Sequence, residues 1–153
     1  YSGTTGVVSS EKYSVSSARD LTGLGIQLTR CLGELGGAGD VFFDSVGPIM
    51  VSGGFERVFD FIRYYGARTT KDGGIFVFVA GTAVEAELLG RLEEASDCVL
   101  QTEKVVGAGE TRGRLLVKKA RGVEHEREWV GIRISSSGRM EFRSLPTGEP
   151  KGA

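Results

Sequence analysis

The sequence predicts an α/β protein: a three-layer sandwich with a mostly parallel central sheet and a C-terminal antiparallel β-meander. Three observations carry this. Helix-period apolar patterns alternate with short apolar runs from residue 18 to 103. That order places helices on the faces of a parallel sheet. From residue 112 onward the pattern becomes that of strands separated by turns, which reads as an edge meander. The chain has 153 residues, 40% of them hydrophobic and 25% charged, enough for one domain with its own core.

Each element has its own signal. YSGTTGVVSSEKYSVSS (1–17) is small, polar and unpatterned, a loop or weak strand at Val7 and Val8. It leads into a single domain over 18–153. Ser17 is suited to cap the first helix, with Asp20 in the first turn. Leu21, Leu24, Leu28, Cys31, Leu32 and Leu35 then recur at helical spacing until Gly36 and Gly37. Gly23, Gly25 and Gly33 weaken this helix intrinsically, so packing must hold it. DVFFDS (40–45) reads as a buried strand and VGPIMVSGG (46–54) as a loop. Phe55, Val58, Phe59, Ile62 and Tyr65 mark a second amphipathic helix, and IFVFVA (75–80) a second apolar strand. TAVE (82–85) has the form of a capping box, with Thr82 as cap and Glu85 three residues on. Val84, Leu88, Leu92 and Ala95 continue a third helix, and CVLQTE (98–103) is a third strand. RGRLLVKKAR (112–121), REWVGIRIS (127–135) and RMEFRS (139–144) form the meander.

Composition excludes several function classes. The formal net charge is -1, so nucleic acid is not indicated as a partner, although a local basic patch is compatible with it. No apolar run approaches the roughly 20 residues of a membrane span, and no signal-peptide pattern is present at the start. Cys31, Cys98 and the single His125 lack metal-type spacing. This points to an intracellular, cytoplasmic protein without a zinc site or disulfide framework.

Three stretches can carry chemistry. DVFFDS delivers Asp44 and Ser45 to the carboxyl end of a strand, where α/β sheets bind ligands. Asp44 there suits a magnesium ion held through water, in the manner of a Walker B strand; it equally suits a strand-ending turn. Thr82 can sense a phosphate or merely cap its helix. KARGVEH (119–125) gathers Lys119, Arg121 and His125 beside Gly122. On a strand Lys119 and Arg121 share a face and would bind an anion. They are also what a solvated edge strand carries. Ser45 with His125 as base is a third, hydrolytic possibility.

Taken in order, these stretches resemble the KaiC/RadA branch of the RecA-like P-loop ATPases. DLTGLGIQLTRCLGELGGAGDVFFDSVGPIM (20–50) is similar to the family's helix, Walker B strand and following loop, including its Asp-Ser pair. IFVFVAGT (75–82) and DCVLQTEKV (97–105) look like its next strands. RLLVKKARGVEHEREWVGIRISSSGRMEFR (114–143) looks like its terminal meander, with a K-x-R-G-x-x-H segment at Lys119, Arg121, Gly122 and His125. The resemblance implies an oligomeric ATPase with ATP·Mg²⁺ between subunits. Asp44 would serve the metal, Ser45 would lie against the cofactor, and Thr82 would sense phosphate. Lys119, Arg121 and His125 would reach the γ-phosphate held by a neighbouring subunit, like an arginine finger.

No G-x-x-x-x-G-K-[ST] occurs in the 153 residues, so the family's Walker A loop is unmatched. The chain is then expected to be the C-terminal part of an ATPase domain, or a degenerate member acting as a scaffold or regulatory subunit with a protein partner. An unrelated α/β hydrolase is the remaining reading. ATP and Mg²⁺ would bind the intact parent, and this chain alone would hold neither tightly nor turn over ATP. Lacking a central strand, the sheet would expose an edge and favour self-association into a homo-oligomer.

Overall fold

A computed structural model describes residues 13–15, 17, 20–107 and 110–145; the expected weak strand at Val7 and Val8 lies outside them. The chain divides into two compact units, the first ending at Leu92 and the second beginning at Glu93. The first unit carries α1 (Leu21–Glu34), β1 (Val41–Asp44), α2 (Val46–Gly53), α3 (Phe55–Lys71), β2 (Phe76–Val79) and most of α4 (Ala86–Ala95). The second carries the end of α4 and strands β3 (Cys98–Gly107), β4 (Glu110–Ala120), β5 (Val130–Ile134) and β6 (Met140–Ser144).

In the first unit β1 and β2 pair in parallel, from Val41 opposite Phe76 to Asp44 opposite Val79. Alternation turns Phe43, Phe76 and Phe78 toward one face. There they pack on a cluster of Leu21, Val46, Ile49, Met50, Val58, Ile62, Val84 and Leu92. The Phe43 and Phe61 rings lie 5.7 Å apart. The opposite face carries Phe42, Ile75 and Val79, which are 77%, 62% and 47% exposed.

Two close approaches fix the helices and the strand register. Tyr65 Oη donates to the Gly25 carbonyl at 2.6 Å and lies 3.0 Å from Thr29 Oγ1, which also accepts from Arg68 at 3.1 Å. A Cβ on Gly25 would fall 2.7 Å from the Tyr65 hydroxyl. The weak helix former is thus what lets α1 lie on α3. Ahead of the strands, the Asp40 carboxylate accepts from the Ile75 amide at 2.8 Å, and the Val41 amide donates back to Ile75 at 2.8 Å. A Cβ on Gly74 would stand 2.2 Å from the Gly39 carbonyl oxygen.

Four sequence expectations change. The N-cap of α1 is Asp20, whose carboxylate accepts from the Gly23 amide at 2.8 Å, rather than Ser17. VGPIMVSGG is a helix, α2, rather than a loop. Pro48 sits in its first turn, where the missing amide has no partner to lose, and Val46, Ile49 and Met50 form one buried stripe. The TAVE capping box does not form: α4 begins at Ala86, and Gly81–Val84 is a turn closed by the Val84 amide on the Gly81 carbonyl at 3.1 Å. Burial of Val84 in the core pulls this segment out of the helix. Finally, β3 joins the antiparallel sheet, ordered β3-β4-β5-β6, instead of extending the parallel one.

On α4, Arg91 stacks over Phe55 and Phe59 at 4.6 and 5.0 Å and forks onto Glu56 at 2.6 and 3.1 Å. The Arg91 hydrogen bonds hold the Glu56 carboxyl below its ordinary 4.5. Its contribution is therefore present above that value and lost as pH falls through the lower folded one.

The meander has a polar centre. Arg114, 9% exposed, donates to Glu103 at 3.0 and 2.7 Å and lies 4.3 Å over the Trp129 ring. Gly113 faces Ile132, and a Cβ there would meet Ile132 Cγ1 at 2.6 Å.

Gly74→Ala should cost about 1–3 kcal/mol in urea unfolding, because the added methyl meets backbone that cannot turn away. The two faces of β1 give a second expectation. Phe43→Ala should cost about 2–4 kcal/mol, while Phe42→Ala stays within about 0.5 kcal/mol. Equal losses at both positions would refute the one-sided packing.

Candidate functional site

In the first unit, Asp44 is the last residue of β1 and stands opposite Val79, the last residue of β2. Both strands thus end at one level, and Asp44 is exposed there. Ser45 occupies the N-cap position of α2 with extended backbone, φ -129° and ψ 159°, and its hydroxyl makes no capping bond. The Asp44–Ser45 peptide bond is cis. Thr82 follows Val79 by three residues, exposed in the Gly81–Val84 turn. With α4 starting later, Thr82 is free of the capping role that its sequence context suggested.

This end of the parallel pair therefore offers a carboxylate and two hydroxyls. Such hard oxygen donors suit Mg²⁺, which keeps several waters and relies on few protein ligands plus substrate phosphates. Among the described residues no group of three or more His, Cys, Asp and Glu side chains is placed to hold a metal.

The second unit holds Lys119, Arg121 and His125, and each already has a neighbour. Lys119 Nζ donates to the Glu93 and Glu94 carbonyls at 3.0 and 2.9 Å. These belong to the last turn of α4, whose free carbonyls and dipole favour a cation. Lys118 Nζ binds the Glu93 carboxylate at 2.8 and 2.7 Å. Adjacent strand residues ordinarily point to opposite faces. Here the register slips: Val99 faces Lys119 but Leu100 faces Val117. Lys118 is the extra residue of a bulge, which brings both lysines to the helix end.

Arg121 lies just past β4. Its amide donates to the Asp97 carbonyl at 2.8 Å, and its guanidinium lies 3.0 Å from the Asp97 carboxylate. These side chains are 62% and 74% exposed, so the ion pair is weak and exchangeable. Gly122, at φ +72°, turns the chain. His125 Nδ1 lies 3.1 Å from the Val123 carbonyl; a carbonyl only accepts, so Nδ1 carries the proton. His125 Nε2 is shielded from solvent with no hydrogen-bond partner. Ser45 and His125 fall in different units.

Sequence reasoning missed the α4 carbonyls as the Lys119 partner and the bulge that makes this contact. The basic pair Lys118 and Lys119 was visible in the sequence; the register slip that brings both to the end of α4 was not.

Comparison with known proteins places the fold. No curated protein matches the chain. The structure of flagellar accessory protein FlaH from Methanocaldococcus jannaschii matches with TM-score 0.61 and 17% identity, over 82% of this chain and 54% of that one. That of KaiC-like protein PH0186 from Pyrococcus horikoshii OT3 matches with TM-score 0.65 and 13% identity, over 94% of this chain and 59% of that one. The chain thus spans a little over half the length of either, and the fold is that of the KaiC-like, RecA-like proteins. No helix among the described residues is long and apolar enough to cross a membrane. A family pattern matches residues 2–102, and the chain belongs to that family, the family of unknown function DUF7504.

Proposed function

We propose that this chain is part of a KaiC-like ATP-binding domain that works in the cytoplasm and whose parent binds ATP·Mg²⁺ between subunits of a homo-oligomer. The observation that carries the reading is Asp44. It stands exposed at the carboxyl end of a parallel pair, with Ser45 beside it and Thr82 on the turn after the neighbouring strand. That is where an α/β sheet presents groups to a ligand. In this reading Asp44 orients the waters of the metal, Ser45 contacts the cofactor, and Thr82 donates to phosphate. Bound Mg²⁺ would supply charge neutralisation of the phosphates.

Of the three residues proposed to act in trans, Arg121 is best placed. Its surface pair with Asp97 costs little to exchange for a phosphate, and its planar fork suits one. His125 would add a ring nitrogen. Lys119 would first have to leave two helix carbonyls.

A second reading rests on the contacts of Lys119 and Arg121. With Lys119 given to α4 and Arg121 to Asp97, the segment is complete as a structural corner. A non-catalytic scaffold would need nothing more from it.

Two measurements separate these. Calorimetric titration of the natural polypeptide with ATP·Mg²⁺ should show binding that Asp44→Ala weakens, and Arg121→Ala should lower hydrolysis by about 10³-fold or more. Absence of nucleotide binding by the natural polypeptide would sink the ATPase reading and leave the scaffold. For the 153-residue chain alone, no tight binding is expected. Independently, Lys119→Met should cost about 1 kcal/mol of folding stability through the lost helix-end contacts, while Arg121→Ala leaves stability unchanged.

A further inference from the structure

The outer edge of the meander has a pattern that the nucleotide reading does not use. β6 ends the sheet order β3-β4-β5-β6. Its register places Ile132 opposite Phe142 and Ile134 opposite Met140. These four side chains share one face of the hairpin, and Ile134, Met140 and Phe142 are 69%, 54% and 61% exposed. Arg139, Glu141 and Arg143 alternate on the other face, where Arg143 and Glu141 lie 3.1 Å apart.

The backbone shows which groups are available. The Ser135 amide donates to the Arg139 carbonyl at 2.9 Å. Hydrogen bonding alternates along an antiparallel strand. Arg139, Glu141 and Arg143 therefore bond inward to β5, and Met140, Phe142 and Ser144 present their amides and carbonyls outward.

We infer that this edge is a homotypic interface, in which β6 of a second copy adds antiparallel with Phe142 opposite the partner's Phe142. Charge and ladder length together select the register. A two-fold pairing centred on Glu141 would set Glu141 against the partner's Glu141 and Arg139 against the partner's Arg143. Both are like-charge pairs, which destabilise a ladder. Centring on Met140 would set Glu141 against the partner's Arg139, but it would pair Phe142 with the partner's Gly138, in the turn, and shorten the ladder. Centring on Phe142 sets Glu141 against the partner's Arg143, twice by symmetry, and Met140 against the partner's Ser144. It also joins the outward amides and carbonyls. Charges on an edge strand ordinarily repel a neighbour; this sequence combines opposite charges with a full-length ladder only when centred on Phe142.

The test is sedimentation of the chain without nucleotide, so its outcome is separate from that of the ATP reading. Wild type should show a concentration-dependent dimer. Phe142→Pro removes only an outward amide and should weaken it by about tenfold or more, as should Glu141→Arg. The exchange Glu141→Arg with Arg143→Glu should restore the dimer. In a Cys31→Ser, Cys98→Ser background, Phe142→Cys should oxidise to a disulfide-linked dimer, which checks the register without proline. A wild-type monomer at all concentrations, a dimer indifferent to Phe142→Pro, or failure of the exchange to restore pairing would each overturn the inference. A dimer indifferent to these changes would place self-association on another surface.

Discussion

The rest of the first unit depends on the register of β1 against β2. A parallel pair has no tight turn to set its alignment, since the connecting crossover is long. The alignment must come from contacts at the strand entrance. Here it comes from Gly74 lying against the Gly39 carbonyl and from Asp40 accepting the Ile75 amide. The reciprocal bond from Val41 to Ile75 closes the arrangement. A slip of β2 by one residue would turn Phe76 and Phe78 away from the core and bring Val77 and Val79 into it. The same slip would offset the strand ends and separate Asp44 from the level of the Thr82 turn. Packing and the candidate site are thus set by the same few atoms.

A second constraint lies at the end of α4. Four carbonyls at a helix C-terminus lack helical partners. Two of them accept from Lys119, and the bulge at Lys118 makes that reach possible. The cation that family resemblance marks for phosphate is therefore also a cation that the helix dipole favours. The two roles differ in cost. Arg121, half of an exposed pair, can exchange partners with little loss, while Lys119 would give up bonds to two helix-end carbonyls, of which Glu93 keeps only the Ser96 amide at 3.3 Å.

Much of this was legible in the sequence because it rests on periodicity. The apolar face of α3, the runs VFF and FVFV and the alternation of β4 to β6 follow from residue spacing alone. What was not legible depended on tertiary context. α2 was hidden because glycine and proline signal a loop, and only the burial of Val46, Ile49 and Met50 outweighs them. Thr82 has a capping sequence, yet burial of Val84 delays the helix. Ser17 and Asp20 are both good caps, and local sequence does not choose between them. The placement of Asp44 at the end of β1 and of Thr82 on the turn after β2 was legible from the apolar runs. The partners of Lys119 and Arg121 were not, because a bulge and a helix end remote in sequence supply them.

The two open surfaces are of different kinds. An antiparallel sheet tolerates one solvated face, so the hairpin of β5 and β6 is stable as it stands and its edge bonds are an option. A parallel pair is ordinarily covered on both faces, and Phe42, Ile75 and Val79 form an apolar surface that favours a cover. The two surfaces thus differ in energetics: the β6 edge is stable whether solvated or paired, while the outer face of the parallel pair keeps apolar area in water for as long as it stays uncovered.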